Sequence, residues 1–348
     1  MNPQSNLQEI DKLTQQVNAA QLPQELKDKA LQQIERILLT LKFGGSLTQL
    51  DIAQKYIEWI TQLPWNTSTQ ENLDINGVKK VLDSHHFGLE KIKARVLEYI
   101  SILILQKQSP ATQVYHAPIL FFVGLAGTGK TTFARSISEA LGRNFVRIPF
   151  GGLSSALDLR GQSKTMPNSE PGMVMKILRE ANSNNPVILL DELDRISPNA
   201  QASIMGVLLE LLDPNQNKSF TDHFIDFPFD LSRALFIATA NNTNSISTAV
   251  LDRLEVVQMP SYSDMEKITI AKQYVLPKTL KNAGMNPDQV VIDDILWQKI
   301  TRPLGFDSGI RTLERTIETI VRKVAFKMVQ GQKGPYRLNE TNIREFLE

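Results

Sequence analysis

Two groups of residues stand at spacings suited to phosphate chemistry. In "GLAGTGKT", Gly124, Gly129, Lys130 and Thr131 fit the pattern G-x-x-x-x-G-K-[ST], directly behind the apolar run "PILFFV" and ahead of "TFARSISEAL", which has helical spacing. Glycines in such a turn let backbone N–H groups face inward around a β-phosphate, and the following helix N-terminus adds partial positive charge. Lys130 is placed to reach the β- and γ-phosphates and Thr131 to offer a hydroxyl to Mg²⁺. The nucleotide-binding stretch expected here is Gly124, Leu125, Ala126, Gly127, Thr128, Gly129, Lys130, Thr131 and Thr132. Some sixty residues later, "PVILLDELD" ends a buried strand in Asp191, placed to hold the magnesium through water. Glu192, one residue further, can take the proton of an attacking water. An acidic pair at a strand end is also a common helix cap; behind a phosphate loop it supplies the partner that the chemistry needs.

The elements that must carry these residues change character along the chain. Leu7, Ile10, Leu13 and Val17, then Leu26, Ala30, Ile34, Ile37 and Leu41, then Leu50, Ala53, Ile57 and Ile60 fall at steps of three and four. They predict a helical hairpin and a third helix, separated at "LPQE" and "FGGS" and ended by Pro64 in "LPWN". Trp59 and Trp65 close that helix as expected core residues. Short β-rich runs then alternate with helical ones: "PILFFV", "FVRIPF", "PVILLD", "ALFIATA" and "LEVVQM". That alternation implies a parallel sheet with crossovers, buried on both faces. From Pro260 the strands nearly vanish, and Ser263 with Glu266 offers a capping box that opens a small helical domain. The fold class expected is α/β, with an N-terminal helical region over 1–70, a nucleotide-binding domain over 71–259 and a helical lid over 260–348.

Composition narrows the partners. Across 348 residues, 38 Lys and Arg balance 37 Asp and Glu, so no global field favours nucleic acid or an anionic membrane. With no cysteine, disulfides, thiolate metal sites and thiol nucleophiles are excluded, which fits a reducing cytosol. The start lacks a basic and apolar leader pattern, and the longest apolar runs are too short to span a bilayer, so a cytoplasmic protein is expected.

Several longer stretches resemble one family closely. "DSHHFGLEKIKARVLEYI", "GLAGTGKT", "LDLRGQSKT", "LLELLDPNQNKSFTDHFID", "LFIATANN", "LDRLEVVQMPSYS", "VLPK" and "SGIRTLER" are similar to the ATPase part of Lon, the ATP-dependent protease, within the AAA+ superfamily of P-loop NTPases. The resemblance runs from about residue 5 to the last residue. It implies ATP and Mg²⁺ as cofactors, a homo-hexameric ring, and protein substrates. It also implies that Asn241 is the sensor that positions the attacking water, Arg253 the arginine finger, and Arg311 a second sensor carried by the lid. Taken alone, Asn241 is more often a helix cap, and Arg253 and Arg311 are solvated surface residues. His86 and Phe87 lie where the family places adenine contacts, although adjacent histidines also suit a helix cap and a packed ring.

The chain departs from the family in three places. It ends at Glu348, about where the peptidase of Lon would begin, and no segment resembles the stretch around the peptidase serine, so peptide-bond cleavage is not expected of it. Leu125 and Ala126 replace two prolines in the phosphate loop; the cradle is made by glycines and backbone, so nucleotide binding is expected to survive. Met166 and Pro167 stand where the first pore loop has an aromatic and aliphatic pair, and Ala200 and Gln201 replace a bulky and a basic residue in the second. Three functions fit: an ATP-hydrolysing ring that remodels or unfolds proteins, a nucleotide-dependent module that regulates a complete Lon or another partner, and the ATPase fragment of an ordinary Lon protease.

Overall fold

The structure is a computed structural model that describes residues 3–42, 48–108, 118–302, 309–332 and 334–347. Two compact units interleave along the chain: Met1–Leu73, Gln106–Phe121 and Ile137–Val256 form the first, and Asp74–Leu105, Phe122–Ser136 and Val257–Glu348 the second.

The first unit opens with α1 (Pro3–Ala19), α2 (Gln24–Lys42) and α3 (Thr48–Gln62). Ile10, Leu13, Val17, Leu26, Ala30, Ile34, Ile37, Leu50, Ala53, Ile57 and Ile60 are buried, as the spacing predicts. The "FGGS" break and the side chains of Leu7 and Leu41 lie outside the described residues. Trp59 and Trp65 depart from expectation, because both are half-buried. The Arg179 guanidinium lies 3.9 Å over the Trp59 ring, and the Trp65 indole N–H donates to the Ile60 carbonyl at 2.8 Å, so each ring keeps a polar side.

After α4 (Ile75–His85) and α5 (Glu90–Gln108), the chain enters the alternating region: β1 (Ile119–Val123), α6 (Lys130–Leu141), β2 (Phe145–Pro149), α7 (Ala156–Arg160), α8 (Met173–Ala181), β3 (Val187–Asp191), α9 (Pro198–Leu212), β4 (Phe220–Thr221), β5 (Pro228–Phe229), β6 (Leu235–Ala240), α10 (Thr248–Leu251) and β7 (Leu254–Gln258). Five of these strands form one sheet in the order β2-β3-β6-β1-β7, with β2, β3 and β6 parallel. Every residue of β3 and β6 is buried, which is why both read as continuous apolar runs without alternation. β4 and β5 form a separate two-stranded antiparallel ladder. The segment behind α3 is tied to the approach to β3: Asn184 N–H donates to the Thr67 carbonyl at 2.8 Å, and Asn185 Oδ1 accepts the Thr69 N–H at 2.8 Å.

The lid helices of the second unit are α11 (Asp264–Ile270), α12 (Leu276–Asn282), α13 (Leu296–Thr301), α14 (Arg311–Val329) and α15 (Ile343–Leu347), with β8 (Val290–Ile292) and β9 (Tyr336–Leu338) as a small parallel ladder. The Ser263–Glu266 capping box is present at the start of α11. Between α11 and α12, Ala271–Val275 winds as a π turn in which Leu276 N–H bonds back to the Ala271 carbonyl. Pro277 follows at once and has no N–H to give, so the wider turn re-pairs the backbone that the proline would leave open. Leu313, Ile317, Ile320 and Val324 of α14 are buried in the lid core, the stripe that the sequence predicts.

Candidate functional site

The glycine-rich loop lies in the second unit. Gly127 and Gly129 take φ values of +82° and +93°, a region that glycine enters without strain and that turns successive N–H groups to one side. Thr128 Oγ1 donates to the Leu125 carbonyl at 2.9 Å and Thr132 Oγ1 to the Gly129 carbonyl at 2.8 Å, so both hydroxyls brace the loop from within. Lys130 is nine-tenths buried, and its ammonium donates to the carbonyls of Gly124 at 2.5 Å and Leu125 at 3.0 Å. The lid closes on the same loop: Ile310 N–H donates to the Gly127 carbonyl at 3.1 Å. Arg311, the expected second sensor, is exposed and begins α14 one residue later. Ser308 of the "SGIR" motif lies outside the described residues.

His86 is buried and Phe87 is half-buried. The His86 ring is buried, lies 4.4 Å from the Phe133 ring and places Nε2 3.0 Å from Ser136 Oγ. His85 Nδ1 is also 3.0 Å from that hydroxyl. Burial, with the nearby His85 and Lys93 charges, pushes the His86 pKa down to about 4. His86 also caps the C-terminus of α4, donating its N–H to the Leu82 carbonyl, and Phe87 packs on the lid core. The cap and the packed ring are thus both present at this turn.

The acidic pair lies in the first unit, at the end of β3. Asp191 is buried; its Oδ2 is 2.8 Å from Arg147 Nε and its Oδ1 accepts the Thr239 hydroxyl. Glu192 sits at φ 61° and ψ 49°, a left-handed conformation unusual for a residue with a side chain. Its N–H donates to Thr239 Oγ1 at 3.1 Å, and its carboxylate is 3.2 Å from Arg195. Asn241, at the end of the parallel strand β6, donates from Nδ2 to Asp194 Oδ2 at 3.2 Å, and Asn242 does the same at 3.4 Å. Arg253 is drawn onto its own chain, donating to the Ala249 carbonyl at 2.8 Å and pairing with Asp213 at 3.4 Å. Thr239, Arg147 and Asp194 carry no role in the sequence motifs. A lone threonine two residues before Asn241 in an otherwise apolar, fully buried strand is the signal that could have found the first of them.

The expected pore residues divide. Met166 is 59% exposed, in a loop whose two ends cross closely, whereas Met175 on the following helix is fully buried. A Cβ on Gly172 would lie 2.1 Å from the Leu159 carbonyl oxygen, and Gly172 N–H donates to the buried Asp222 carboxylate at 2.7 Å. Pro167, next to Met166, is exposed in the same loop. The second pair does not behave as a loop. Ala200 is buried in the first turn of α9, and Gln201 Nε2 donates to the Ser245 carbonyl, because Pro198 starts the helix two residues earlier.

The donor types fit a magnesium nucleotide. A threonine hydroxyl and a single buried carboxylate are hard oxygen ligands, and Mg²⁺ bound with substrate phosphates needs no more from the protein. Among the described residues no group of three or more His, Asp or Glu side chains converges on a metal position, so an all-protein cation cage is not what the acidic residues build. The left-handed glycines beside Lys130 leave the backbone concave where phosphate oxygens need donors.

Comparison with known proteins agrees with this geometry. Residues 120–262 match the family described as ATPase family associated with various cellular activities, AAA, and residues 281–336 match the Lon protease AAA+ ATPase lid domain. The chain is 39% identical to a Lon protease of Lawsonia intracellularis over 98% of its own length and 40% of that protein. It is 38% identical to Lon protease 2 of Thermus thermophilus, again over 98% of this chain and 43% of the relative. With a Lon protease of Dictyoglomus thermophilum it shares 40% identity over 93% of its length and 40% of the relative. The chain thus spans about 40% of the length of these curated relatives.

Proposed function

This chain is the AAA+ module of the Lon family, an AAA domain followed by a Lon-type lid, and from that premise we propose that it hydrolyses ATP to remodel or unfold protein substrates. The observation that carries the proposal is the glycine loop with Lys130 bonded into it and the lid turn docked on Gly127. In this reading the loop N–H groups and Lys130 hold the phosphates, Thr131 and Asp191 hold the metal, and Glu192 orients a water and takes its proton as the γ-phosphorus–oxygen bond breaks in line. When bound, Mg²⁺ supplies neutralisation of charge on the β- and γ-oxygens. Asn241 orients the same water, with its amide fixed by Asp194. Arg311 contributes positive charge from the lid, and Arg253 acts as a finger on the nucleotide of a neighbouring copy in a homo-hexamer.

Met166 and Pro167 are the substrate contact in this proposal. A rigid aromatic grips a chain with little entropy loss, whereas methionine is flexible and adapts to what it touches. A weak pull results, suited to loosely folded partners. A second function, regulation of a complete Lon or another partner, is favoured by the same exposed methionine. Unfolding of a stable fluorescent reporter, recorded together with ATP turnover, separates the two. Poor unfolding that improves in the Met166→Tyr, Pro167→Ile double variant is the expected result. Efficient unfolding by the unmodified chain, or no gain in the double variant while turnover continues, rejects the weak-grip account.

A further inference from the structure

One side chain on the neighbouring strand holds both acidic residues. Thr239, fully buried in β6, gives its hydroxyl proton to Asp191 Oδ1 and receives the Glu192 N–H on the same oxygen at 3.1 Å. A hydroxyl has one proton and two lone pairs, so an N–H donor on one side commits the proton to the carboxylate on the other. Glu192 needs such a restraint. Its φ of +61° persists in a residue with a side chain only where the surroundings over-determine it, and the Thr239 oxygen fixes the peptide that sets this angle.

We propose that Thr239 is a positioning residue for hydrolysis, setting the orientation of the Asp191 carboxylate and, through the Glu192 backbone, the direction of the carboxylate that takes the proton from water. The role rests on the ATP hydrolysis proposed above. Thr239 reaches no phosphate group itself in this account; its effect passes entirely through Asp191 and Glu192. Nucleotide affinity comes instead from the glycine loop and Lys130, so turnover and affinity separate when the hydroxyl is removed.

Thr239→Val keeps the branched shape that a buried strand packs well and deletes only the hydroxyl. Thr239→Ser keeps the hydroxyl and deletes a methyl group. For the valine variant, kcat is expected to fall roughly ten- to hundredfold, with KM for ATP within about threefold and a higher Mg²⁺ concentration at half-maximal rate. The serine variant is expected to return kcat to within about threefold of the unmodified protein, because it restores both hydrogen bonds. Binding of a fluorescent ATP analogue is measured on the same samples. Wild-type kcat in Thr239→Val overturns the inference. So does an equal loss in Thr239→Ser, or a valine variant that loses ATP binding together with turnover, since each marks a packing effect. Glu192→Gln is assayed alongside. Absence of turnover in the unmodified chain removes the hydrolytic reading itself and unimpaired turnover in Glu192→Gln removes the role given to Glu192, whereas an inactive Glu192→Gln beside a fully active Thr239→Val removes only the role given to Thr239.

Discussion

Gly309 has no side chain because its neighbours leave no room for one. A Cβ there would lie 2.5 Å from the Gly127 carbonyl carbon and 2.6 Å from the Ala126 carbonyl oxygen, both backbone atoms of the phosphate loop. Gly309→Ala must therefore push the lid turn off the loop or distort it. A loss of about 1–3 kcal/mol in urea denaturation is expected, with weaker ATP binding by titration, and no change in either would contradict the close docking of turn on loop. The contrast between Gly309 and Thr239 shows what single residues disclose in a sequence. Gly124, Gly129, Lys130 and Thr131 are legible because their chemistry is local: one turn, one spacing, one helix start. Thr239, Arg147 and Asp194 act across strands, through bonds to residues 48, 44 and 47 positions away, and no local spacing marks such partners. Ala200 shows the opposite failure, since a motif position suggested a loop where a proline-started helix buries the side chain.

Elements were legible where they are long or continuously apolar. The three N-terminal helices, the five strands of the main sheet and the stripe on α14 follow from periodicity, because burial on one face or on two writes itself into residue order. β4, β5, β8 and β9, of two or three residues each, are too short to set a period, and the π turn before Pro277 depends on backbone pairing that side-chain pattern does not encode. The contact between the end of α4 and α6 carries a pH consequence. Burial holds the His86 pKa near 4 in the fold, against an ordinary 6.5. The unfolded chain then takes up a proton at His86 below pH 6.5 that the folded chain refuses until about pH 4. Its contribution is complete above pH 6.5 and is lost as pH falls toward 4. Between pH 7 and 5 this amounts to about 2 kcal/mol from one group. His86→Phe, which retains a ring against Phe133, is expected to flatten the stability-versus-pH curve over that span by about this amount in urea denaturation. An unchanged slope would show that His86 titrates normally in the folded protein.

At the scale of the whole molecule, the fold and family were legible because eight separate stretches agree with one another; five of them lie in or at the end of the AAA match over 120–262, and "SGIRTLER" lies in the lid match over 281–336. Assembly is written less directly. Arg253 is bonded to Ala249 and Asp213 of its own chain, while its proposed role lies on the nucleotide of another copy. In that proposal, release from this pairing and insertion into a neighbour would link the reaction to association. A finger that contributes about a thousandfold corresponds to about 4 kcal/mol of barrier, which an isolated chain lacks. None of the helices among the described residues is long and apolar enough to cross a membrane. The most direct test of the account is ATP turnover per chain, measured with Mg²⁺ from dilute to concentrated protein, for the unmodified chain and for Glu192→Gln. The expected result is turnover that rises with concentration in the unmodified chain, and in Glu192→Gln a loss of at least about a hundredfold with ATP still bound. Turnover that stays flat across the concentration range, or that persists undiminished in Glu192→Gln, would contradict it.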